Sequence, residues 1–335
     1  MRRGRGFGYV DEAGGAVRDR EALERVRALA IPPAWRDVWI CEDPLGHLQA
    51  TGIDAAGRKQ YLYHPLWREH RDRAKFRRME RFGSLLPKLR RKIAASIRDG
   101  GLGHEQVLAC AVRLLDIGFF RIGSEEYADD DGGIGLATLH KEHVSVRGRE
   151  AVFEYPAKAG VERAQAIYDP ASVEVIGALR RRRGGGQQLL AYRNGRRWHP
   201  LRSEEINEYL KRELGHEFSA KDFRTWNATV LAAVSLAAGE NEAGSKAGSK
   251  TGRKRAIDGA VKAVAQLLGN TPAVARRSYI DPRVFDRYRS GWTIAGALER
   301  IDRLDPADDR VRAKIEGAVL DLLAEETDSP ALQRG

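Results

Sequence analysis

The chain has 335 residues, of which 42% are apolar and 31% charged, enough for two domains with buried cores and unlike a disordered chain. Lys and Arg outnumber Asp and Glu 58 to 47, a formal charge of +11, which favours a polyanionic partner, nucleic acid or an anionic membrane surface. No apolar run approaches the ~18 residues of a membrane span, the basic start MRRGRGFGYV lacks a secretory apolar core, and Cys41 and Cys110 alone support neither a disulfide framework nor a zinc site. A cytoplasmic location is expected.

The first seventy residues read as strands and turns. GYVDEAGGAV has the form strand, Gly-Gly turn, strand, and REALERVRALAIPPAW is a short amphipathic helix stopped by Pro32 and Pro33. DVWICEDPLGHLQATGIDAAGRKQYLYHP alternates short Val/Ile/Tyr-rich runs with Gly and Pro. Residues 68 to 98 then hold 12 Lys/Arg against 3 Asp/Glu, interleaved with Phe76, Phe82, Leu85, Leu86 and Leu89. This spacing predicts an amphipathic helix with a basic outer face, one suited to releasing counterions from a phosphate backbone. In HEQVLACAVRLLD the apolar residues Val107, Cys110, Ala111 and Leu114 recur at helical spacing. HVSVR, AVFEY and GVERAQ are three short strands with tight connections. SEEINEYLKREL and SAKDFRTWNATVLAAVSLAA are helical, the second with Ser219 as N-cap and Asp222 three residues on. Residues 239–255, GENEAGSKAGSKTGRKR, are expected to be a mobile Gly/Ser/Lys-rich loop.

The fold class expected is α+β. A small β-rich N-terminal domain (1–76) precedes a larger, mainly α-helical domain (77–335) containing a small three-stranded sheet.

Tyr279, in ARRSYIDPRVFDRY, sits at a break between helices. Thr271-Pro272 and Asp281-Pro282 each read as N-cap and first helical residue. A phenol with a pKa near ~10 needs cationic neighbours to act as a nucleophile. The chain offers three with context: Arg121 after the apolar helix end LLDIGFF, Lys158 on a tight turn in FEYPAKAGVE, and Arg224 near the start of an amphipathic helix. Two arginines can bind the non-bridging oxygens of a phosphodiester, and a lysine can give a proton to a leaving oxygen.

LLDIGFFRIGSEEY, PAKAG, KDFRTWNAT and ARRSYIDPRV, with GRKQYLYHP before them, occur in the order and spacing of type IB DNA topoisomerases. The chain most resembles their small bacterial and poxvirus-like members, over nearly its whole length. The resemblance implies the catalytic core shared by tyrosine recombinases and these topoisomerases, and relaxation of supercoiled double-stranded DNA without ATP. Tyr279 would attack a phosphodiester to form a 3′-phosphotyrosyl link, Arg121 and Arg224 would bind the scissile phosphate, and Lys158 would protonate the 5′ oxygen. Asn270 stands where poxvirus members carry histidine; its amide can donate one hydrogen bond but carries no charge. Arg58, Gln60, Tyr61 and Tyr63 resemble the segment that contacts the major groove and phosphates. Tyr127, Arg77, Arg78, Arg81, Arg276 and Arg277 are further DNA-contact candidates.

The resemblance also implies a monomer clamping the duplex, association with the nucleoid, and no metal or other cofactor. The sequence lacks a GxxxxGK[ST] loop, and the acidic run EEYADDDGG (125–133) reads as a solvated loop rather than a magnesium site. Two rivals stand beside this reading. A tyrosine recombinase would usually carry His-x-x-Arg where this chain has Lys221-Asp222-Phe223-Arg224, and a helical N-terminal domain. An architectural DNA binder would need only the basic segment.

Overall fold

The computed structural model describes residues 2–3, 6–123, 133–243, 249–303, 305 and 307–334. The chain divides into two units, Met1–Lys75 and Phe76–Gly335. The first carries β1 (Arg2–Arg3), β2 (Gly6–Phe7), α1 (Arg20–Ala28), β3 (Arg36–Ile40), β4 (Leu48–Ile53) and β5 (Lys59–Tyr63). β3, β4 and β5 form an antiparallel sheet in that order. GYVDEAGGAV makes only an isolated bridge, Val10 to Ala16. The Gly-Gly turn forms as expected, but neither flank extends into a strand.

The division falls inside α2 (Pro65–Ser96). The second unit continues with α3 (His104–Gly118), the antiparallel sheet β6 (Val144–Arg147), β7 (Glu150–Pro156) and β8 (Glu162–Ile167), then α4 (Pro170–Arg181) and the hairpin β9 (Ala191–Asn194) and β10 (Arg197–Pro200). It ends with α5 (Ser203–Leu214), α6 (Ala220–Ala243), α7 (Lys250–Leu268), α8 (Pro272–Ser278), α9 (Pro282–Arg289), β11 (Trp292–Thr293), α10 (Ala295–Leu298), α11 (Asp309–Ala324) and β12 (Gln333–Arg334). The architecture is α+β and mainly helical, with the expected three-stranded sheet. α4 and the β9–β10 hairpin have no counterpart in the sequence expectations.

The expected mobile loop at 239–255 is corrected at its two ends, while 244–248 lie outside the described residues. Residues 239–243 close α6 and 250–255 open α7, whose N-cap Ser249 accepts from the Gly252 amide. In 250–255, Lys and Arg favour helix strongly enough to outweigh Gly252, so weak apolar patterning there marks a helical turn rather than a loop.

α3 is buried along almost its whole length and forms the axis on which the unit packs. Its apolar side chains join Phe82, Leu86 and Ile93 of α2 and Phe223, Trp226 and Leu236 of α6 in one core. The basic face of α2 is interrupted there. Arg90 is buried and binds Asp116 at 2.9 Å and Glu316 at 2.6 Å. Arg312 binds Asp116 at 2.7 Å, and Arg113 binds Asp169, the N-cap of α4, at 2.9 Å. This network ties α2, α3, α4 and α11 together. Burial opposes ionisation of Asp116, but Arg312 and Arg90 outweigh it and hold the carboxyl far below the usual aspartate range.

Removing one partner of a buried pair leaves uncompensated charge, at a cost of about 3–5 kcal/mol. Asp116→Ala is therefore expected to lower the unfolding free energy of the Phe76–Gly335 unit, read from the urea midpoint and slope, by an amount of that order, whereas Arg73→Ala, which removes an exposed i,i+4 pair with Glu69, should leave it unchanged. A carboxyl whose folded pKa is depressed stabilises above its unfolded value and loses that contribution as pH falls toward the folded one. Asp116 should therefore contribute fully at any pH well above ~4, and acid titration of the midpoint should show its loss only below that.

Candidate active site

The last turn of α7 collects three arginines from three different elements. Arg163 of β8 donates to the Leu267 carbonyl at 2.6 Å. Arg224 of α6 donates to the Leu268 carbonyl at 2.8 Å, and its other terminal nitrogen to the Phe119 carbonyl at the end of α3. Arg121, three residues beyond α3, donates to the Gly269 carbonyl at 3.1 Å and to Asn270 Oδ1 at 2.8 Å. Three successive carbonyls at a helix C-terminus, where acceptors lack intrahelical donors and the dipole is negative, thus each hold one guanidinium. Gly269 ends α7 in the left-handed region at φ 59°. A Cβ there would stand 2.9 Å from an Arg163 terminal nitrogen.

The nucleophile candidate is fixed from both sides. Thr271 caps α8 by accepting from the Val274 amide, Pro272 follows, and Tyr279 is the C-cap, its amide donating to the Ala275 carbonyl at 3.0 Å. Thr229 Oγ1 lies 3.4 Å from the Tyr279 carbonyl and accepts from the Asp281 amide at 3.1 Å. Thr229 is on α6, the helix that carries Arg224, so one rigid element sets both. The Arg224 guanidinium lies over the Tyr279 ring, 5.4 Å from its centroid.

The charge here is unbalanced. Burial lowers the Arg224 pKa to about 10; Arg121 and Arg163 push the same way, while Tyr279 opposes them. Burial also lowers Arg163, with Arg121 adding to it and Tyr155 opposing. None of the three guanidiniums has a carboxylate within ion-pair distance among the described residues. Three buried donors, Arg224 Nε, Asn270 Nδ2 and Gln165 Nε2, have no acceptor there either. Such a cluster is costly alone and becomes favourable when an anion with several acceptor oxygens enters.

Tyr155 is the cross-strand partner of Arg163. Burial raises its pKa against the pull of Arg163, Arg224 and Arg121, so this second phenol beside the cations stays protonated. Lys158 sits three residues further, at the tip of the same hairpin, exposed. It has no ion-pair partner among the described residues. The tip is held by the chain that follows Arg121: Ile134 donates to the Pro156 carbonyl at 3.0 Å, and Leu136 to the Arg121 carbonyl at 2.8 Å. Gly133, at φ 66°, passes so close that a Cβ would lie 2.2 Å from the Lys158 nitrogen.

The other candidates fall into several settings. Arg58 and Gln60 both bind Asp54 Oδ2, at 3.0 and 2.9 Å; backbone and side-chain bonds from Arg58 hold that carboxyl below its ordinary pKa although burial opposes this. Strand alternation puts Gln60 on the face opposite Tyr61 and Tyr63, which stack at 6.2 Å. Trp39, Thr51 and Tyr61 lie in register across the sheet, and Trp39 and Tyr61 are about half exposed. Trp39 was missed by the sequence reading because only pairing through Thr51 of the central strand brings it onto one face with Tyr61.

On α2, Arg77 is exposed, whereas Arg78 binds the buried Asp222 at 3.1 Å and Arg81 binds Glu217 at 2.5 Å. Arg276 lies 3.4 Å from Asp258, and Arg277 is exposed. Tyr127 lies outside the described residues, as does the acidic run apart from Gly133. Arg163 was also missed: in GVERAQ it reads as one more surface cation, and only strand pairing with Tyr155 turns it inward.

A sequence profile of the eukaryotic DNA topoisomerase I catalytic core matches residues 64–303. That is most of the chain. The protein belongs to the type IB DNA topoisomerase family. A profile of the bacterial DNA topoisomerase IB N-terminal domain matches residues 6–54. DNA topoisomerase 1B of Acanthamoeba polyphaga mimivirus is 28% identical over 274 residues, covering 80% of each chain. DNA topoisomerase 1B of vaccinia virus (strain Copenhagen) is 20% identical over 278 residues, covering 80% of this chain and 82% of its own. The two profiles meet the two ends of the sequence expectation, a catalytic core and a bacterial-type N-terminal domain, and the recombinase and architectural readings have no such support.

Gly269→Ala should cost about 1 kcal/mol of stability from the left-handed backbone alone. Its methyl group should also displace Arg163 from the Leu267 carbonyl. Single-turnover DNA cleavage is expected to slow at least tenfold, more than the thermal shift would account for, whereas Gly259→Ala, in open space on α7, should cleave normally.

Proposed function

We propose that the protein relaxes supercoiled DNA by the reaction of its family, with Tyr279 as nucleophile and the α7 arginines as its phosphate site. The observation that carries this reading is the meeting, at one helix end, of a half-buried tyrosine and three guanidiniums that no carboxylate among the described residues compensates. The Tyr279 oxygen, giving up its phenolic proton to solvent, attacks the scissile phosphorus, the P–O5′ bond breaks, and a 3′-phosphotyrosyl link replaces it. Arg121 and Arg224 hold the non-bridging oxygens, which gain charge in the transition state; Asn270 Nδ2 is available to one of them. Lys158 at the hairpin tip delivers the proton that the 5′ oxygen requires as it leaves. Religation reverses each step, so the phosphodiester energy is conserved and no ATP is consumed. None of these roles needs a metal ion.

The partner is double-stranded DNA, engaged by one copy of the chain, with the Trp39–Tyr61 face of the N-terminal sheet as a second contact in addition to the phosphate site. A nucleoid location follows from that partner. No helix among the described residues is long and apolar enough to cross a membrane.

Tyr279→Phe removes one hydroxyl, so DNA affinity should persist while relaxation and covalent complex both vanish; residual covalent complex would move the nucleophile elsewhere. Lys158→Ala should be slow on ordinary DNA and largely restored on a 5′-bridging phosphorothiolate, because a thiolate leaves without a proton. Equal defects on the two substrates would assign Lys158 to phosphate binding instead.

A further inference from the structure

Residues 180 to 202 contain eight arginines and no Asp or Glu. Arg182 alone is buried. Its guanidinium bonds the Leu179 and Leu189 carbonyls, both at 2.8 Å, and stacks on Trp198 of β10, 5.5 Å from its centroid. It therefore joins the end of α4 to the β9–β10 hairpin. The remaining seven, Arg180, Arg181, Arg183, Arg193, Arg196, Arg197 and Arg202, are exposed, and none forms an ion pair among the described residues. Other exposed arginines do hold a carboxylate, among them Arg20, Arg58, Arg73, Arg81 and Arg289; what marks 180–202 is the density of arginine with no acid in the segment.

The position of this surface is fixed by α3. The Arg193 amide donates to the Leu102 carbonyl just before α3 begins, and the Tyr192 ring meets His104, the first residue of α3, edge-on at 4.6 Å. Arg121 lies past the other end of the same helix. Fifteen residues at 1.5 Å each separate the two ends by about 22 Å. Along the axis of a duplex each strand carries one phosphate per ~3.4 Å, so this distance, laid along that axis, corresponds to about six nucleotides.

We propose that the arginine face of the α4 end and the β9–β10 hairpin binds the phosphate backbone of the same duplex, about six base pairs from the scissile phosphate. The inference rests on the active-site reading above and adds a contact outside it. Arginine forks suit phosphate oxygens, and an uncompensated, one-signed surface binds a polyanion by counterion release. The face offers no exposed large apolar side chain, so neither a lipid surface nor an apolar peptide is favoured as the occupant. Sequence reading missed it because α4 and the hairpin were not recognised, and the eight arginines lie in two runs that only the Arg182–Trp198 stack brings together.

The test is equilibrium binding of the full chain to labelled duplexes of two lengths across a salt series. The short duplex extends fewer than six base pairs either side of the cleavage site and the long one about twelve. Replacing Arg193, Arg196 and Arg197 together with Gln should flatten the slope of log K against log salt on the long duplex, by up to about 2.7. It should leave the slope on the short duplex unchanged, and single-turnover cleavage at saturating protein should match that of the parent chain. The same three positions changed to Lys should keep the parent slope. A slope unchanged on both duplexes would make the face merely solvated, and an equal loss on both would place the hairpin at the catalytic contact; either overturns the proposal. So would binding of phosphatidylserine vesicles that the Gln variant loses while keeping its slope on DNA. Failure of Tyr279→Phe to abolish cleavage would instead overturn the active-site reading and leave this contact standing.

Discussion

Everything at the candidate active site hangs on the C-terminal turn of α7. A helix end offers carbonyls without donors and the negative pole of its dipole, an interaction worth about 0.3–1 kcal/mol per cation and up to ~2 when partly buried. Leu267, Leu268 and Gly269 each give one carbonyl to one guanidinium. Three cations are thereby held together where, among the described residues, no carboxylate neutralises them. Carboxylates would hold them more strongly but would occupy the charge needed for substrate. Carbonyls orient each guanidinium and leave its net charge available, so the arginines stay positioned for a phosphate without being neutralised.

The same turn sets the proposed nucleophile, Tyr279. Gly269 reverses the chain, Asn270 and Thr271 follow, and α8 carries the chain to Tyr279 in one short helix. Thr229 then pins the Tyr279–Asp281 backbone to α6. The α6 residues Arg224 and Thr229 lie five positions apart and address the cation cluster and the tyrosine respectively. Because elements from α3, β8, α6 and α7 converge, the core that packs them also fixes the geometry of the site. The buried Arg90–Asp116–Arg312 network lies under the end of α3 and holds the base from which Arg121 extends.

Much of this was legible in the sequence. Thr271-Pro272 and Asp281-Pro282 announced the helix starts on either side of Tyr279, and both caps are present as read. The three-stranded sheet and the turn carrying Lys158 followed from alternation and punctuation. What the sequence hid is non-local. Arg163 and Trp39 gain their settings only through strand pairing. Arg78 looked like its neighbours on a basic face until Asp222, 144 residues away, bound it. The ends of the 239–255 segment, 239–243 and 250–255, failed for the opposite reason, since polar helix-forming residues without an apolar stripe resemble a loop.

If α7 makes the three arginines into one phosphate site, their contributions to cleavage cannot be independent. The most direct test is a double-mutant cycle on single-turnover cleavage with Arg121→Lys, Arg163→Lys and the pair combined, since residues acting as a unit are non-additive. The account predicts that the double variant cleaves about as slowly as the slower single variant. Defects that simply multiply would contradict it, because Arg163 would then act apart from the site that Arg121 serves.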